Sequence, residues 1–160
     1  MRRIKIYLDT SVISHLDAPD RVDWMNDTHS LWHAIKNSKF EVLLSRTTFA
    51  ELEDCPEPKR SALYAYISEI EYTMIEPTNE VQTLADAYIA SGILSAKSAD
   101  DAMHIAFAVT ANCDYIVSWN FKHLVNVKTI NGVKSVNAVN NYKEISIVPP
   151  TMLLEGGENE

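Results

Sequence analysis

Short apolar runs alternate with amphipathic stretches along nearly the whole chain. The apolar runs are rich in β-branched and aromatic residues, and they predict strands at 4–8, 40–44, 71–75, 114–118 and 144–148. The amphipathic stretches repeat their apolar residues at helical spacing, and they predict helices at 20–38, 47–52, 59–70, 79–91, 98–111 and 128–142. Strands that alternate with helices predict an α/β fold, with a mostly parallel sheet of four to five strands covered on both faces.

The helix predicted at 98–111 is apolar on nearly all sides, which is typical of a central, buried helix. Its few polar residues include Asp100, Asp101 and His104, all within the first two turns. His104 could face a cleft beside Asp101. On so apolar a helix, however, a histidine is more often a core residue that forms internal hydrogen bonds.

At 160 residues, the chain has the length of one domain with a single core. We expect that domain at 1–150, followed by a frayed C-terminal tail at 151–160. No apolar run reaches membrane-spanning length, and the first residues do not form a signal peptide, so we expect a cytoplasmic protein. Cys55 and Cys113 lack metal-like spacing and are interpreted as reduced, largely buried residues.

The formal net charge of −8 argues against a protein that coats nucleic acid through diffuse attraction. It is compatible with an enzyme that concentrates carboxylates in a cleft and carries a few lysines and arginines around the rim. Phosphate-cradling glycine loops and the GxSxG nucleophile motif are absent. His29 and His33 share one helix face, but without an HExxH motif we favour packing over metal binding.

Three acids and one amide stand beside the predicted ends or starts of elements. Asp9 follows the first strand, Glu51 is expected in the first turn after the second, Asp101 opens the buried helix, and Asn120 follows the fourth strand. In a parallel sheet, strand ends and these helix starts meet at one edge, where ligands bind. Clustered carboxylates need a cation, and oxygen-only ligands suit Mg²⁺ or Mn²⁺.

Each of these residues also has a structural alternative. Thr48 and Glu51, and likewise Ser98 and Asp101, have the spacing of a capping box, in which the acid bonds back to the start of its helix. Asn120 could be a plain helix cap, and the acid at position 9 could cap the turn that follows it. Both interpretations of each residue stay open at this point.

Four passages with their order and spacing resemble the PIN domain family, the nuclease fold of the toxins in VapBC toxin–antitoxin pairs. The passages are YLDTS at 7–11, FAEL at 49–52, DAMHIAFA at 101–108 and YIVSWNFKHL at 115–124. The resemblance extends over roughly residues 4–148, nearly the whole chain. The last passage, after a short strand, is the most specific.

The resemblance implies a Rossmann-like, three-layer α/β/α sandwich and metal-dependent hydrolysis of RNA phosphodiester bonds. It makes Asp9, Glu51 and Asp101 the acidic metal-site residues, with Asn120 in the fourth position, and Mg²⁺ or Mn²⁺ the cofactor. An ion held by Asp9 and Asp101 would activate water for in-line attack, while Glu51 completes the ion's shell or orients that water. A homodimer and a cognate antitoxin are the implied partners, beside the RNA substrate.

The chain departs from the family pattern at two positions. Asn120 stands where nuclease members often have Asp, and an amide ligates through its oxygen without adding charge. Ser11 stands where many toxins have Asn. Asp100 could replace Asp101, but it lies about 100° round the helix, and the match to the motif favours Asp101.

These departures leave rival hypotheses open. The leading one is a metal-dependent endoribonuclease, with a VapBC-type toxin as its biological role. The main alternative is a weakly active or inactive PIN-like binding or regulatory module, and a small-molecule phosphohydrolase on the same scaffold is the third. Lys122 or His123 is a candidate phosphate contact, against the alternative of a solvated loop.

Overall fold

The computed structural model describes residues 2–154. It contains five strands: β1 (Ile4–Leu8), β2 (Phe40–Ser45), β3 (Thr73–Ile75), β4 (Tyr115–Val117) and β5 (Ser146–Val148). The helices are α1 (Thr10–Ser14), α2 (Val22–Lys36), α3 (Arg46–Glu53), α4 (Lys59–Ile67), α5 (Asn79–Ala90), α6 (Ala99–Thr110), α7 (Val127–Val139) and α8 (Pro150–Leu154). Short 3₁₀ turns lie at His15–Asp17 and Ala96–Ser98.

The five strands form one sheet in the order β3-β2-β1-β4-β5, and every neighbouring pair is parallel. This confirms the α/β fold with a parallel sheet of four to five strands. From β1, the chain first adds strands on one side and then returns to add β4 and β5 on the other. The boundary between β1 and β4 is therefore a topological switch point, and its carboxyl edge is where open α/β sheets bind ligands.

The sheet separates the hydrophobic core into two layers, as the expected three-layer sandwich requires. Side chains alternate along β1: Tyr7 packs on the face covered by α5, α6 and α7, whereas Ile6 and Leu8 pack on the face covered by α1 to α4. Helix α6 is buried along most of its length, in agreement with its apolar sequence. Among the described residues, no helix is long and apolar enough to cross a membrane.

The start of α3 differs from the expectation. The helix begins at Arg46, and its cap is Ser45, whose hydroxyl accepts a hydrogen bond from the Thr48 amide at 3.3 Å. Glu51 therefore lies in the second turn, and the prediction that it belongs to the first turn is wrong. Thr48 is buried inside the helix, so it cannot form a capping box with Glu51.

Two other helix ends also differ from the sequence-based interpretation. Ser98 precedes α6 but its hydroxyl makes no capping hydrogen bond, so the second capping-box alternative is also wrong. Residues 151–154, expected to be the start of a frayed tail, belong to α8, where Leu153 and Leu154 pack against the core layer that contains α2. Residues 155–160 of that predicted tail lie outside the described part of the chain.

Asp114 ties the beginning of β4 to the beginning of β1. Its carboxylate accepts hydrogen bonds from the Lys5 amide at 2.8 Å, from the Arg2 guanidinium at 3.1 and 3.2 Å, and from the Lys143 ammonium at 3.4 Å. The Arg2 and Lys5 hydrogen bonds hold the pKa of this carboxyl well below its usual range, although burial acts in the opposite direction. A depressed carboxyl pKa stabilises the fold above the unfolded-state pKa and loses that effect as the pH falls.

We therefore expect Asp114→Asn to lower the free energy of unfolding by about 1–2 kcal/mol at pH 7. The amide oxygen of Asn can still accept from the Lys5 amide, so most of this loss comes from the missing charge in that hydrogen bond, because the exposed Arg2 pair is screened by solvent. Urea titrations at pH 7 and pH 3 measure it, and the difference between the two proteins should shrink at the lower pH. Asp20→Asn, at an exposed carboxylate, is the control and should stay within about 0.5 kcal/mol of wild type.

Candidate active site

The four side chains singled out by the sequence lie around the carboxyl edge of the sheet. Asp9 directly follows β1, Glu51 is carried by α3 just after β2, and Asn120 follows β4. Asp101 is in the first turn of α6, a helix that leads into β4 and so starts at the same edge. Because β1, β2 and β4 are parallel, elements distant in the sequence meet here.

Asp9 is the most deeply buried of the four, with 3% of its surface exposed. Its Oδ1 accepts a hydrogen bond from the Ser11 hydroxyl at 2.5 Å, and its Oδ2 accepts one from the Ser118 hydroxyl at 2.6 Å. Oδ1 also lies 3.4 Å from the Val12 amide, so Asp9 caps α1 as well. Burial raises the pKa of Asp9 above its ordinary value, against the opposing charge of His104 and these hydrogen bonds.

The two serines bonded to Asp9 also join the loops that follow β1 and β4. The Ser118 hydroxyl accepts a hydrogen bond from the backbone amide of Asn120 at 2.9 Å. The Ser11 hydroxyl accepts one from the backbone amide of Trp119, also at 2.9 Å. Each hydroxyl thus donates to the same carboxylate while it accepts from the neighbouring backbone. The position of Asp9 is therefore fixed by both central strands of the switch point.

Glu51 is held by a chain of hydrogen bonds that runs through the buried His104. The His104 Nε2 lies 2.8 Å from Glu51 Oε1, and its Nδ1 lies 2.6 Å from the Tyr7 hydroxyl. The Tyr7 hydroxyl is also 2.6 Å from the Ser45 hydroxyl, and Thr10 donates to Glu51 Oε1 from the opposite side. Since an ionised carboxylate only accepts, His104 must donate from Nε2 to Glu51.

The charges of His104 and Glu51 stabilise each other. Burial favours the neutral form of His104, but its hydrogen bond to Glu51 and the charges of Asp9, Glu51 and Asp101 outweigh burial and raise the pKa of His104. Burial likewise acts to raise the pKa of Glu51, yet the hydrogen bond and charge of His104, with the Thr10 bond, lower it. His104 is therefore a core histidine with both ring nitrogens bonded, and one of them faces the candidate site.

Asp101 and Asn120 are neighbours, with the Asn120 amide nitrogen 3.5 Å from Asp101 Oδ1. The Asn120 oxygen accepts a hydrogen bond from the His123 amide at 2.9 Å, as expected of a residue that caps a turn. Burial raises the pKa of Asp101, the charges of His104 and His123 oppose this, and those of Asp9 and Glu51 add to it. The three carboxylates are thus close enough for their charges to interact.

The donor set has the chemistry that suits a hard divalent cation. Asp9, Glu51 and Asp101 supply carboxylate oxygens. Burial raises the pKa of Asp9 and Asp101, and a cation bound near these carboxylates would stabilise their ionised forms. Among residues 2–154, however, no group of three or more His, Cys, Asp or Glu side chains is gathered closely enough to hold a metal ion. Mg²⁺ usually binds through one or two carboxylates and keeps several waters, so the residues fit an ion that is bound partly through water.

Several residues of this network were not singled out from the sequence: Tyr7, Thr10, Ser11, Ser45 and Ser118. The signal for Ser118 is its place directly after β4, and that for Ser11 is its place in the first turn after β1. Tyr7 had a weaker signal, because alternation along β1 puts it on the side of α6 and opposite Ile6 and Leu8. The other histidines that were considered, His29 and His33, have separate partners in Leu16 and Asn37.

Comparisons with known proteins agree with this architecture. A family model described as PIN domain matches residues 5–122. The fold is similar to that of Mycobacterium tuberculosis VapC20, a Sarcin-Ricin loop cleaving toxin, with a TM-score of 0.55 and 19% identity over 74% of this chain and 92% of that one. It is also similar to Rickettsia felis VapBC2 bound to a promoter DNA fragment, with a TM-score of 0.57 and 12% identity over 91% of this chain and 98% of that one. No curated protein sequence matches the chain.

Proposed function

This chain belongs to the PIN domain family, and from that premise we propose that it is a metal-dependent endoribonuclease that hydrolyses RNA phosphodiester bonds. The observation that carries the proposal is the buried carboxylate of Asp9, whose pKa is raised by burial and whose charge interacts with that of Asp101. A buried carboxylate whose charge is near that of other carboxylates is typical of a functional site, because the ionised form is costly to bury.

In this proposal, Asp9 and Asp101 hold Mg²⁺ or Mn²⁺, and Asn120 takes the fourth position. When bound, the ion lowers the pKa of a water molecule and neutralises the charge that builds up on the phosphate. Glu51, oriented by Thr10 and His104, completes the ion's shell or orients the attacking water. Ser11 and Ser118 hold both oxygens of Asp9 in place.

The biological role we propose is that of the toxin in a VapBC-type pair, active as a homodimer in the cytoplasm and blocked by a cognate antitoxin. The support is the fold that this chain shares with VapC20 and VapBC2, described above. The identities of 19% and 12% are evidence for a common fold only. Identification of the neighbouring reading frame would test the antitoxin part of this role.

A weakly active or inactive binding module is the second candidate function. The amide oxygen of Asn120 is already bonded to the His123 amide, and its nitrogen is the atom that faces Asp101. A binding module would retain this arrangement with RNA or protein present, whereas a nuclease would need the amide to rotate or a water molecule to intervene. Metal-dependent cleavage distinguishes the two candidates.

We expect the purified protein to cleave single-stranded RNA in the presence of Mg²⁺ or Mn²⁺, and the rate to fall at least about 100-fold in excess EDTA. Addition of excess metal should restore the rate. Gel analysis of labelled RNA measures cleavage, and Asp101→Asn purified in parallel controls for contaminating ribonucleases. RNA binding without cleavage would favour the binding module, and hydrolysis of free nucleotides alone would favour a phosphohydrolase.

A further inference from the structure

Four aromatic side chains pack against one another beside the candidate active site, on the face of the sheet covered by α1 to α4. We call this group the aromatic cluster and define it by His15, Trp24, Trp119 and Phe121. The Trp24 and Trp119 indoles are stacked, with ring centroids 4.6 Å apart and an angle of 9° between the rings. The Phe121 ring is tilted against both, with its centroid 5.6 Å from that of Trp24 and 6.3 Å from that of Trp119.

The aromatic cluster is joined directly to the residues that fix Asp9. The Trp119 backbone amide donates to the Ser11 hydroxyl at 2.9 Å, and the same hydroxyl donates to Asp9 at 2.5 Å. Phe121 is the residue after Asn120, which takes the fourth position of the candidate site. A ligand bound at the carboxylates would therefore have Phe121 as a near neighbour.

Phe121 is the member of the aromatic cluster that is open to solvent. It is 43% exposed, whereas Trp119 is 4% exposed. Both faces of Trp24 are occupied, one by the Trp119 indole and the other by the Arg21 guanidinium, whose carbon lies 3.4 Å from the ring centroid. Among residues 2–154, no ring stacks face to face on Phe121. Phe121 thus offers a free aromatic surface that two indoles support.

The backbone also holds Phe121 in place. Its amide donates to the Trp119 carbonyl at 3.0 Å, and its carbonyl accepts from the Asn126 side-chain amide at 3.1 Å. The Trp119 indole N–H in turn donates to the buried Thr28 hydroxyl at 2.8 Å. Because the ring and its support are already ordered, a ligand that stacks on Phe121 would require little further ordering of the protein.

We propose that Phe121 stacks on a nucleobase of the RNA strand, next to the phosphodiester that is cleaved. This inference rests on the proposed function, since it assigns the ring to the same substrate. Every base has a flat π-face, and unpaired bases stack on exposed aromatic side chains of proteins that bind single strands. In a duplex, neighbouring base pairs cover these faces. The substrate is therefore RNA with an unpaired nucleotide at the cleaved position.

A protein partner is the other occupant that an exposed phenyl ring could have. A stable protein interface covers about 800 Å² of each partner. The residues on either side of Phe121, Asn120 and Lys122, are polar or charged, and Arg21 nearby is exposed. A single ring in such surroundings is small for a protein interface and matches the face of one nucleobase. Its place beside Asn120 also brings the stacked nucleotide to the carboxylates, which favours the substrate as the occupant.

The test compares Phe121→Ala with Tyr72→Ala, which removes a ring of similar exposure at the amino edge of the sheet. Fluorescence anisotropy in EDTA measures binding of a labelled oligouridine of about twelve nucleotides. In Phe121→Ala, Kd should rise about tenfold, and the Tyr72 control should match wild type. Phe121→Tyr keeps the flat ring and should also match wild type. Phe121→Leu keeps an apolar side chain without a flat ring, and its Kd should rise about fivefold.

Two further readouts distinguish base stacking from an effect on the phosphates. The slope of log Kd against log salt concentration should be the same in Phe121→Ala and wild type, because stacking on a base releases no counterions. An oligomer with the same backbone and abasic sites in place of the bases should bind wild type about tenfold more weakly. Phe121→Ala should bind this abasic oligomer as well as wild type does.

Cleavage kinetics with Mg²⁺ separate this inference from the proposed function. On the same oligouridine, Phe121→Ala should raise KM about tenfold while kcat stays within about twofold, because the ring binds substrate and transition state equally. If wild type binds RNA through Phe121 but never cleaves it, the proposed function fails and the stacking site remains. If wild type cleaves RNA and Phe121→Ala matches Tyr72→Ala in Kd and KM, the proposed function stands and the stacking site is overturned. It is also overturned if wild type binds no RNA, or if Phe121→Ala weakens binding of the abasic oligomer to the same extent.

Discussion

Asp9→Asn is expected to lower kcat for RNA cleavage by about a thousandfold, which corresponds to about 4 kcal/mol of transition-state stabilisation. The substitution keeps the shape of the side chain and removes the charge that would hold the ion. The amide oxygen of the new Asn can still accept from the hydroxyl of Ser11 or of Ser118. The second of these two hydroxyls can rotate to accept from the new N–H group. The loss therefore reports the charge of Asp9 and not the collapse of its surroundings.

The stability of Asp9→Asn makes this test specific. Because Asp9 is buried and its pKa is raised by that burial, we expect metal-free Asp9→Asn to unfold at a temperature no lower than wild type. Mg²⁺ should raise the unfolding temperature of wild type and leave that of the variant unchanged. Asp100→Asn, at an exposed carboxylate, is the control and should cleave normally. Cleavage by Asp9→Asn within threefold of wild type would contradict the metal-site role.

The fold could be predicted from local signals, because apolar runs and their spacing indicate the order of strands and helices. The short strand β4 shows why this works: its apolar residues lie between the buried helix α6 and the polar turn at Asn120, so its beginning and end are both marked. A single parallel sheet then follows from the alternation of strands and helices. The four family passages lie at the carboxyl edge for the same reason.

The hydrogen bonds that join Asp9 and Ser11 to the residues after β4 could not be predicted, because their partners are distant in the sequence. Ser11 counted as a departure from the family pattern, yet its hydroxyl bonds Asp9 and the Trp119 amide at the same time. Nothing in the sequence around Ser118 indicates that its hydroxyl donates to the other Asp9 oxygen. The Ser118–Asp9 and Trp119–Ser11 hydrogen bonds depend on the pairing of β1 with β4, which no local pattern contains.

The start of α3 shows a different limit of sequence reasoning. Ser45 and Thr48 are both good helix caps by residue type, and only the register between strand and helix decides between them. Ser45 is the last residue of β2 and its hydroxyl accepts from the Thr48 amide, so α3 starts earlier and Glu51 lies in the second turn. From there its carboxylate reaches His104 and Thr10. The partners that orient Glu51 could therefore not be predicted without the correct start of α3.

His104→Ala is expected to lower the free energy of unfolding by about 3 kcal/mol, with a fall of about 10 °C in Tm. His104 is 2% exposed, so removal of its imidazole leaves a cavity between α6 and its neighbours. It also leaves the Tyr7 hydroxyl and the half-buried Glu51 carboxylate without their shared partner. Tyr7→Phe removes only the hydroxyl end of this chain and should cost about 1–2 kcal/mol.

Two conservative variants separate the packing role of His104 from its role in positioning Glu51. His104→Gln places an amide N–H where Nε2 donates to Glu51, whereas His104→Asn places an amide oxygen where Nδ1 meets the Tyr7 hydroxyl. Both fill part of the cavity, so both should be more stable than His104→Ala. If His104 positions Glu51 for the reaction, kcat should fall about tenfold less in His104→Gln than in His104→Asn at unchanged KM. Equal kcat values in the two variants would limit His104 to a structural role, because only the bond to Glu51 distinguishes them at the site.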